Sequence, residues 1–181
     1  MVIPFVLLAT EDYSVDSALI ASSKVNRIVE GLLESNETLT FSEDEINSLL
    51  IDELPPQIST GISNVKIQIL PGHVVMDADV ELQKFKITSS PQNDFFISLL
   101  LSGKRRINLD CTFTSSKGVG ILEVTSIKID GTVLKGQVLH WFIDEFLDGH
   151  VASLRLGEPA ELPYNLDYIR LEDNRVVVSS F

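Results

Sequence analysis

The sequence predicts one α+β domain, in which a curved antiparallel sheet of at least five strands wraps around helices or packs on them. Apolar and polar residues alternate through the middle of the chain, with turn residues between the alternating stretches, which is typical of antiparallel hairpins. Near both ends, apolar residues recur at helical spacing. A chain of 181 residues fits a single domain, residues 1–181.

The N-terminal residues 1–13 have two interpretations. Val2 to Ala9 are apolar but include Pro4, have no basic flank, and are too few to span a membrane. We interpret residues 1–13 either as the remnant of an anchor or export segment or as a first strand.

Two helices are predicted next. Ser14–Asn36 has apolar residues at helical spacing, and Ser14 or Asp16 is suited to cap it. Ser42 and Glu45 form an S-x-x-E capping box, which predicts a short second helix that ends at the two prolines 55 and 56.

The first hairpin is predicted at the Pro71-Gly72 turn. Apolar residues alternate from Val65 to Ile69 before this turn and from Val74 to Leu82 after it. The second strand could extend through Phe85 and Ile87.

A second hairpin turns at Lys117-Gly118, between a strand that begins at Ile107 and one that runs through Ile129. The apolar phase of the last strand shifts after Val124, which predicts one bulged residue near Thr125.

The remaining elements are two helices and a closing hairpin. Phe95–Ser102 fits either a short helix closed by Gly103 or a buried strand. After the Asp130-Gly131 turn, Leu134–Leu147 has the pattern of a strongly amphipathic helix. Asp167–Leu171 and Val176–Ser180 flank a four-residue turn and predict a third hairpin.

Charge and cysteine content exclude several classes of function. A net charge of −12 disfavours nucleic-acid binding, which needs clustered Lys and Arg to displace counterions. Cys111 is the only cysteine, so neither an intrachain disulfide nor a Cys/His zinc site can form, and we expect it inside a strand.

No catalytic, cofactor or metal motif was found. The chain lacks a G-x-S-x-G elbow, a phosphate-binding loop and an H-E-x-x-H pair. His140 and Asp144 would supply only half a metal site. The carboxylate pairs 44/45 and 144/145 are predicted on exposed faces, where nothing raises their pKa for acid catalysis. We therefore expect no enzyme, no cofactor and no metal.

The only basic run is Lys104-Arg105-Arg106. Its structural interpretation is a set of cations at a helix end and a strand edge, and its functional interpretation is contact with an anionic head group.

Residues 39–50, LTFSEDEINSLL, resemble the T-x-x-E-L-N-x-L-L opening of uncharacterised bacterial envelope families. Some of these families are similar to half-barrel modules of the tubular lipid-binding type, in which a curved sheet wraps a long helix. The resemblance implies a non-enzymatic module of the cell envelope or periplasm, with peripheral membrane association and a lipid or other long apolar ligand.

The candidate ligand site is a set of large apolar side chains that three short helices and a one-sided sheet do not need for packing. Its members are Phe95, Phe96, Leu99, Leu100 and Trp141. Trp141 points about 100° away from Phe142 on the predicted helix, which favours the edge of a groove. The alternative is a structural, scaffold or dimerising domain, in which these residues close the core or a dimer contact.

Overall fold

The structure is a computed structural model, and it describes residues 14–53, 61–85, 102–146 and 156–181. The described α-helices are α1 (Val15–Val29), α2 (Glu43–Glu53) and α3 (Gly136–Phe146). The described strands are β1 (Thr38–Ser42), β2 (Ile62–Leu70), β3 (His73–Val80), β4 (Arg105–Ser116), β5 (Val119–Ile129), β6 (Thr132–Val133), β7 (Ala160–Glu161), β8 (Leu166–Glu172) and β9 (Arg175–Ser180).

The larger sheet has six antiparallel strands, in the order β2-β3-β4-β5-β6, with β7 also paired to β5. This confirms the prediction of an α+β fold with an antiparallel sheet of at least five strands that contains both central hairpins. The register places Ile67, Met76, Leu109 and Ile127 in one row across four strands, so a single face of the sheet is apolar. The next row, which points to the opposite face, is polar and charged and consists of Lys66, Asp77, Asn108 and Lys128.

The predicted bulge lies in β5. Asp110 pairs with Ser126 and the next residue, Cys111, pairs with Val124, so Thr125 is the extra residue. Its hydroxyl donates to the Asp110 carbonyl at 2.9 Å. The inserted residue keeps apolar side chains on the core face on both sides of the bulge.

The smaller sheet has the order β1-β9-β8 and contains the predicted C-terminal hairpin. Strand β8 crosses the turn end of the larger sheet. Gly118 N–H donates to the Asp167 carbonyl at 2.7 Å, and Gly72 N–H donates to the Leu171 carbonyl at 3.1 Å. Between these two contacts, the Ser115 hydroxyl hydrogen-bonds both backbone groups of Ile169 at 2.7 Å.

Three predicted boundaries were wrong. Helix α1 ends at Val29 instead of Asn36, because Gly31 has φ +67 and turns the chain. Leu82 belongs to a 3-10 turn, Leu82–Lys84, and does not extend β3.

The third boundary is the start of α3 at Gly136, two residues later than predicted. Asp130 and Gly131 both have positive φ, at +50 and +80, and form a tight hairpin that adds β6 before the helix.

The apolar side chains form two clusters. One lies between α3 and the larger sheet, and the other joins α1, α2 and the smaller sheet. The α3 cluster contains Trp141, the described member of the predicted ligand site.

Candidate functional site

The candidate site is the apolar layer between α3 and the larger sheet. Three aromatic rings of α3 pack on one another here. The centroid of Trp141 lies 6.5 Å from that of Phe142 and 5.7 Å from that of Phe146, both with edge-on geometry. Phe142 is 3% exposed and belongs to the same cluster as Ala78 and Ile127 of the sheet. Helix α3 therefore packs on the apolar face of the sheet, as predicted.

A set of apolar side chains around this layer is only half-buried. They lie on the sheet, on α3 and just after the 3-10 turn, and all pack against the buried cluster: Ile62, Val65, Phe85, Leu109, Val124, Val138, Leu139, Ile143 and Phe146. A helix of 11 residues is about 16 Å long, whereas a strand of 12 residues such as β4 is about 40 Å long. Helix α3 alone is too short to cover this face.

Of the predicted ligand-site residues, Trp141 lies in this layer, and it is 8% exposed. Phe95, Phe96, Leu99 and Leu100 lie outside the described residues, as does the predicted Phe95–Ser102 helix up to residue 101. The described residues therefore do not show whether the site brings these five side chains together.

Sequence reasoning missed a buried carboxylate in the same layer. Glu145 was predicted on an exposed face but is 8% exposed, whereas its neighbour Asp144 is exposed as predicted. Position 145 follows Trp141 by four residues, about one helical turn, and so shares its side of α3. The buried arc of α3 is wide enough to include Trp141, Phe142 and Glu145.

For the other carboxylate pair, residues 44/45, the prediction of an exposed face was right for the first residue and wrong for the second. Asp44 is exposed, but the Glu45 side chain is only 12% exposed and lies 2.7 Å from Lys24 Nζ. Glu45 also accepts a hydrogen bond from Ser42 N–H at 2.9 Å, while the Ser42 hydroxyl accepts from Glu45 N–H at 3.2 Å. These reciprocal bonds confirm the predicted capping box.

Helix α2 closes the edge of β2 through two further side chains of the 39–50 motif. The Asn47 carboxamide accepts from Ile67 N–H at 2.6 Å and donates to the Ile67 carbonyl at 2.8 Å. The Glu43 carboxylate accepts from Ile69 N–H at 2.7 Å. An S-x-x-E box predicts where a helix starts but not what the rest of the helix contacts, so no pattern in residues 39–50 indicated this role.

The basic run 104–106 is neutralised by the protein itself. Lys104 lies 3.5 Å from Asp79, Arg105 lies 3.0 Å from Asp130, and Arg106 lies 3.4 Å from Asp79. The amide of Asn64 donates to Asp79 at 2.7 Å and is the main cause of a lowered pKa of that carboxyl, with Arg106 and Lys104 adding to it. These pairs favour the structural interpretation of the run over head-group contact.

Within the described ranges, no group of three His, Cys, Asp or Glu side chains has the arrangement of a metal site. His140 Nδ1 lies 2.8 Å from the Gly136 carbonyl, within its own helix. Cys111 lies inside β4 and is buried, as predicted, and this burial raises the pKa of its thiol to about 11.

No family model matches the chain, and neither the curated proteins nor the solved structures contain a significant match to it. The described helices include none that is long and apolar enough to cross a membrane.

Proposed function

We propose that the protein is a binding module rather than an enzyme, and that it holds a lipid or another long apolar ligand between α3 and the larger sheet. The observation that carries this proposal is the incomplete burial of apolar side chains around that layer. Sites for such ligands are mostly apolar, with a few polar groups that fix orientation.

The resemblance of residues 39–50 to envelope families supports a place in the cell envelope or periplasm, with peripheral membrane association. Subcellular fractionation tests this placement. Recovery of the untagged protein only with the cytosolic fraction would contradict it.

The ligand proposal can be tested with a larger side chain that fills the apolar layer between α3 and the larger sheet. Val138 is half-buried on α3, and Val138→Phe adds an aromatic ring where the ligand would lie. Trp141 is the only tryptophan of the chain, so its fluorescence reports on this layer alone. We expect a saturable fluorescence change with a long-chain fatty acid or dispersed phospholipid, weakened at least about tenfold in Val138→Phe, which corresponds to about 1.4 kcal/mol of binding free energy.

The matched control is Val119→Phe, which makes the same change at an exposed position on the polar face of β5. This variant should bind like the parent protein. If the core is simply full, Val138→Phe instead overpacks it and costs about 1–3 kcal/mol of unfolding free energy, and no lipid changes the fluorescence. That outcome would leave a structural or dimerising domain as the function.

A further inference from the structure

Strand β2 is an edge strand of the larger sheet, as far as the described residues show, and its outward backbone groups are nevertheless hydrogen-bonded. Asn47 bonds both groups of Ile67, and Glu43 bonds Ile69 N–H. The Ile69 carbonyl accepts from Asn174 N–H, in the β8–β9 turn, at 3.0 Å. Four groups that would bind a neighbouring strand are thus bonded to one helix and one turn.

We infer that the edge of β2 is a strand-docking site that α2 and the β8–β9 turn keep closed, and that its occupant, once both move away, is β2 of a second copy of the chain. This inference concerns a different surface from the α3 layer and does not depend on an apolar ligand. An edge strand with free backbone groups is a template for pairing, and proteins protect such edges. Here the Asn47 carboxamide provides one donor and one acceptor, as a residue of a paired strand does.

The second copy fits this edge because the four groups are self-complementary. In an antiparallel pair centred on Gln68, Ile67 lies opposite the second copy's Ile69, and residues paired in this way exchange two hydrogen bonds. The symmetric pair adds two more bonds, so all four groups are hydrogen-bonded without α2 or the β8–β9 turn. The alternation of β-branched and polar residues from Val65 to Ile69 also suits a strand paired on both sides.

A disulfide at the centre of the symmetric pair can report that the pair has formed. At the centre of these two paired strands, Gln68 lies opposite Gln68 of the second copy, at a position without backbone hydrogen bonds between the two residues. The Cα atoms of such residues are about 4.5 Å apart, a distance that a disulfide can bridge. Gln68 is exposed, so Gln68→Cys leaves the core intact. The native Cys111 does not compete, because it is buried and its pKa is raised to about 11.

The experiment compares disulfide dimer formation in three proteins: Gln68→Cys alone, with Asn47→Ala, and with Ser42→Ala. Asn47→Ala removes both bonds to Ile67 and so favours opening of the edge, whereas Ser42→Ala removes the cap of the same helix and keeps Asn47. We expect the Asn47→Ala protein to cross-link at least about tenfold faster than the other two, the order of change that the loss of two net hydrogen bonds gives to an opening equilibrium. Equal rates in all three proteins would overturn the inference.

Should Asn47→Ala fail to fold, Gln68→Cys alone is studied in urea below the global unfolding transition. Hydrogen exchange of the Ile67 and Ile69 amides then measures the opening of α2. We expect the cross-linking rate to rise together with exchange at these two amides. Exchange at both amides without any cross-linked dimer would show that the open edge does not pair with a second copy.

Discussion

Single residues of this protein are held by contacts that their neighbours in sequence do not reveal. Asn47 is 3% exposed, although it lies in the polar stretch of a weakly amphipathic helix, because its carboxamide replaces a strand partner of Ile67. Ser48 is fully buried, and its hydroxyl accepts from Ser14 N–H at 3.2 Å, which ties α2 to the start of α1. Asn47 and Ser48 of the 39–50 motif therefore have structural roles.

Cys111 gives the residue-scale prediction. Burial, and to a lesser degree the nearby Asp110 carboxylate, raises the pKa of its thiol from 9.0 to about 11. We expect a thiol-specific reagent at pH 8 to react much more slowly with the native protein than with the unfolded chain.

The pH dependence of stability follows from the same shift. The folded state holds the proton more tightly than the unfolded state, so this contribution to stability is complete below about pH 9 and is lost as the pH rises toward about 11. A Cys111→Ser variant should lack this alkaline loss. Equal thiol reaction rates in the native and unfolded protein would contradict the assignment of Cys111 to the core.

At the scale of elements, period-two alternation predicted β2 to β5 and even the bulge at Thr125, because each strand has one apolar and one polar face. Strand β1 was not predicted. Its last residue, Ser42, is also the first residue of the capping box, and five residues are too few to show a period. Its partner, β9, lies more than 130 residues later in the chain. The pairing of distant segments leaves no local signal.

The same reason explains what was missed in the candidate site. The helical spacing of α3 identified Phe142 as a core residue, but spacing alone did not show that the buried arc extends to Trp141, about 100° away, with Glu145 between the two. The width of that arc depends on the sheet beneath the helix. It is a property of packing and not of the helix sequence.

Helix α3 gives the element-scale prediction. Phe142 is 3% exposed and contacts Trp141 and Phe146, so Phe142→Ala should cost about 3–5 kcal/mol of unfolding free energy, the usual range for truncating a buried aromatic side chain. Phe181→Ala is the matched control, because Phe181 is 49% exposed. Chemical denaturation measures both, and an equal midpoint for the two variants would show that α3 does not pack as described.

In the molecule as a whole, two sheets and two apolar clusters are joined where β8 crosses the turn end of the larger sheet. The contacts where β8 crosses are backbone hydrogen bonds that Gly72 and Gly118 donate to β8, together with the hydrogen bond from the Ser115 hydroxyl to the Ile169 carbonyl. Among the described residues, the smaller sheet lies at the turn end of the larger sheet, and α3 packs on the apolar face at the other end.

The central claim, an apolar ligand in the α3 layer, is tested most directly by native mass spectrometry of the full chain purified without detergent. We predict a population heavier than the chain by the mass of a lipid, removed by organic extraction, reduced in Val138→Phe and retained in Val119→Phe. Only the mass of the bare chain, both before and after incubation with fatty acid and phospholipid, would contradict the account.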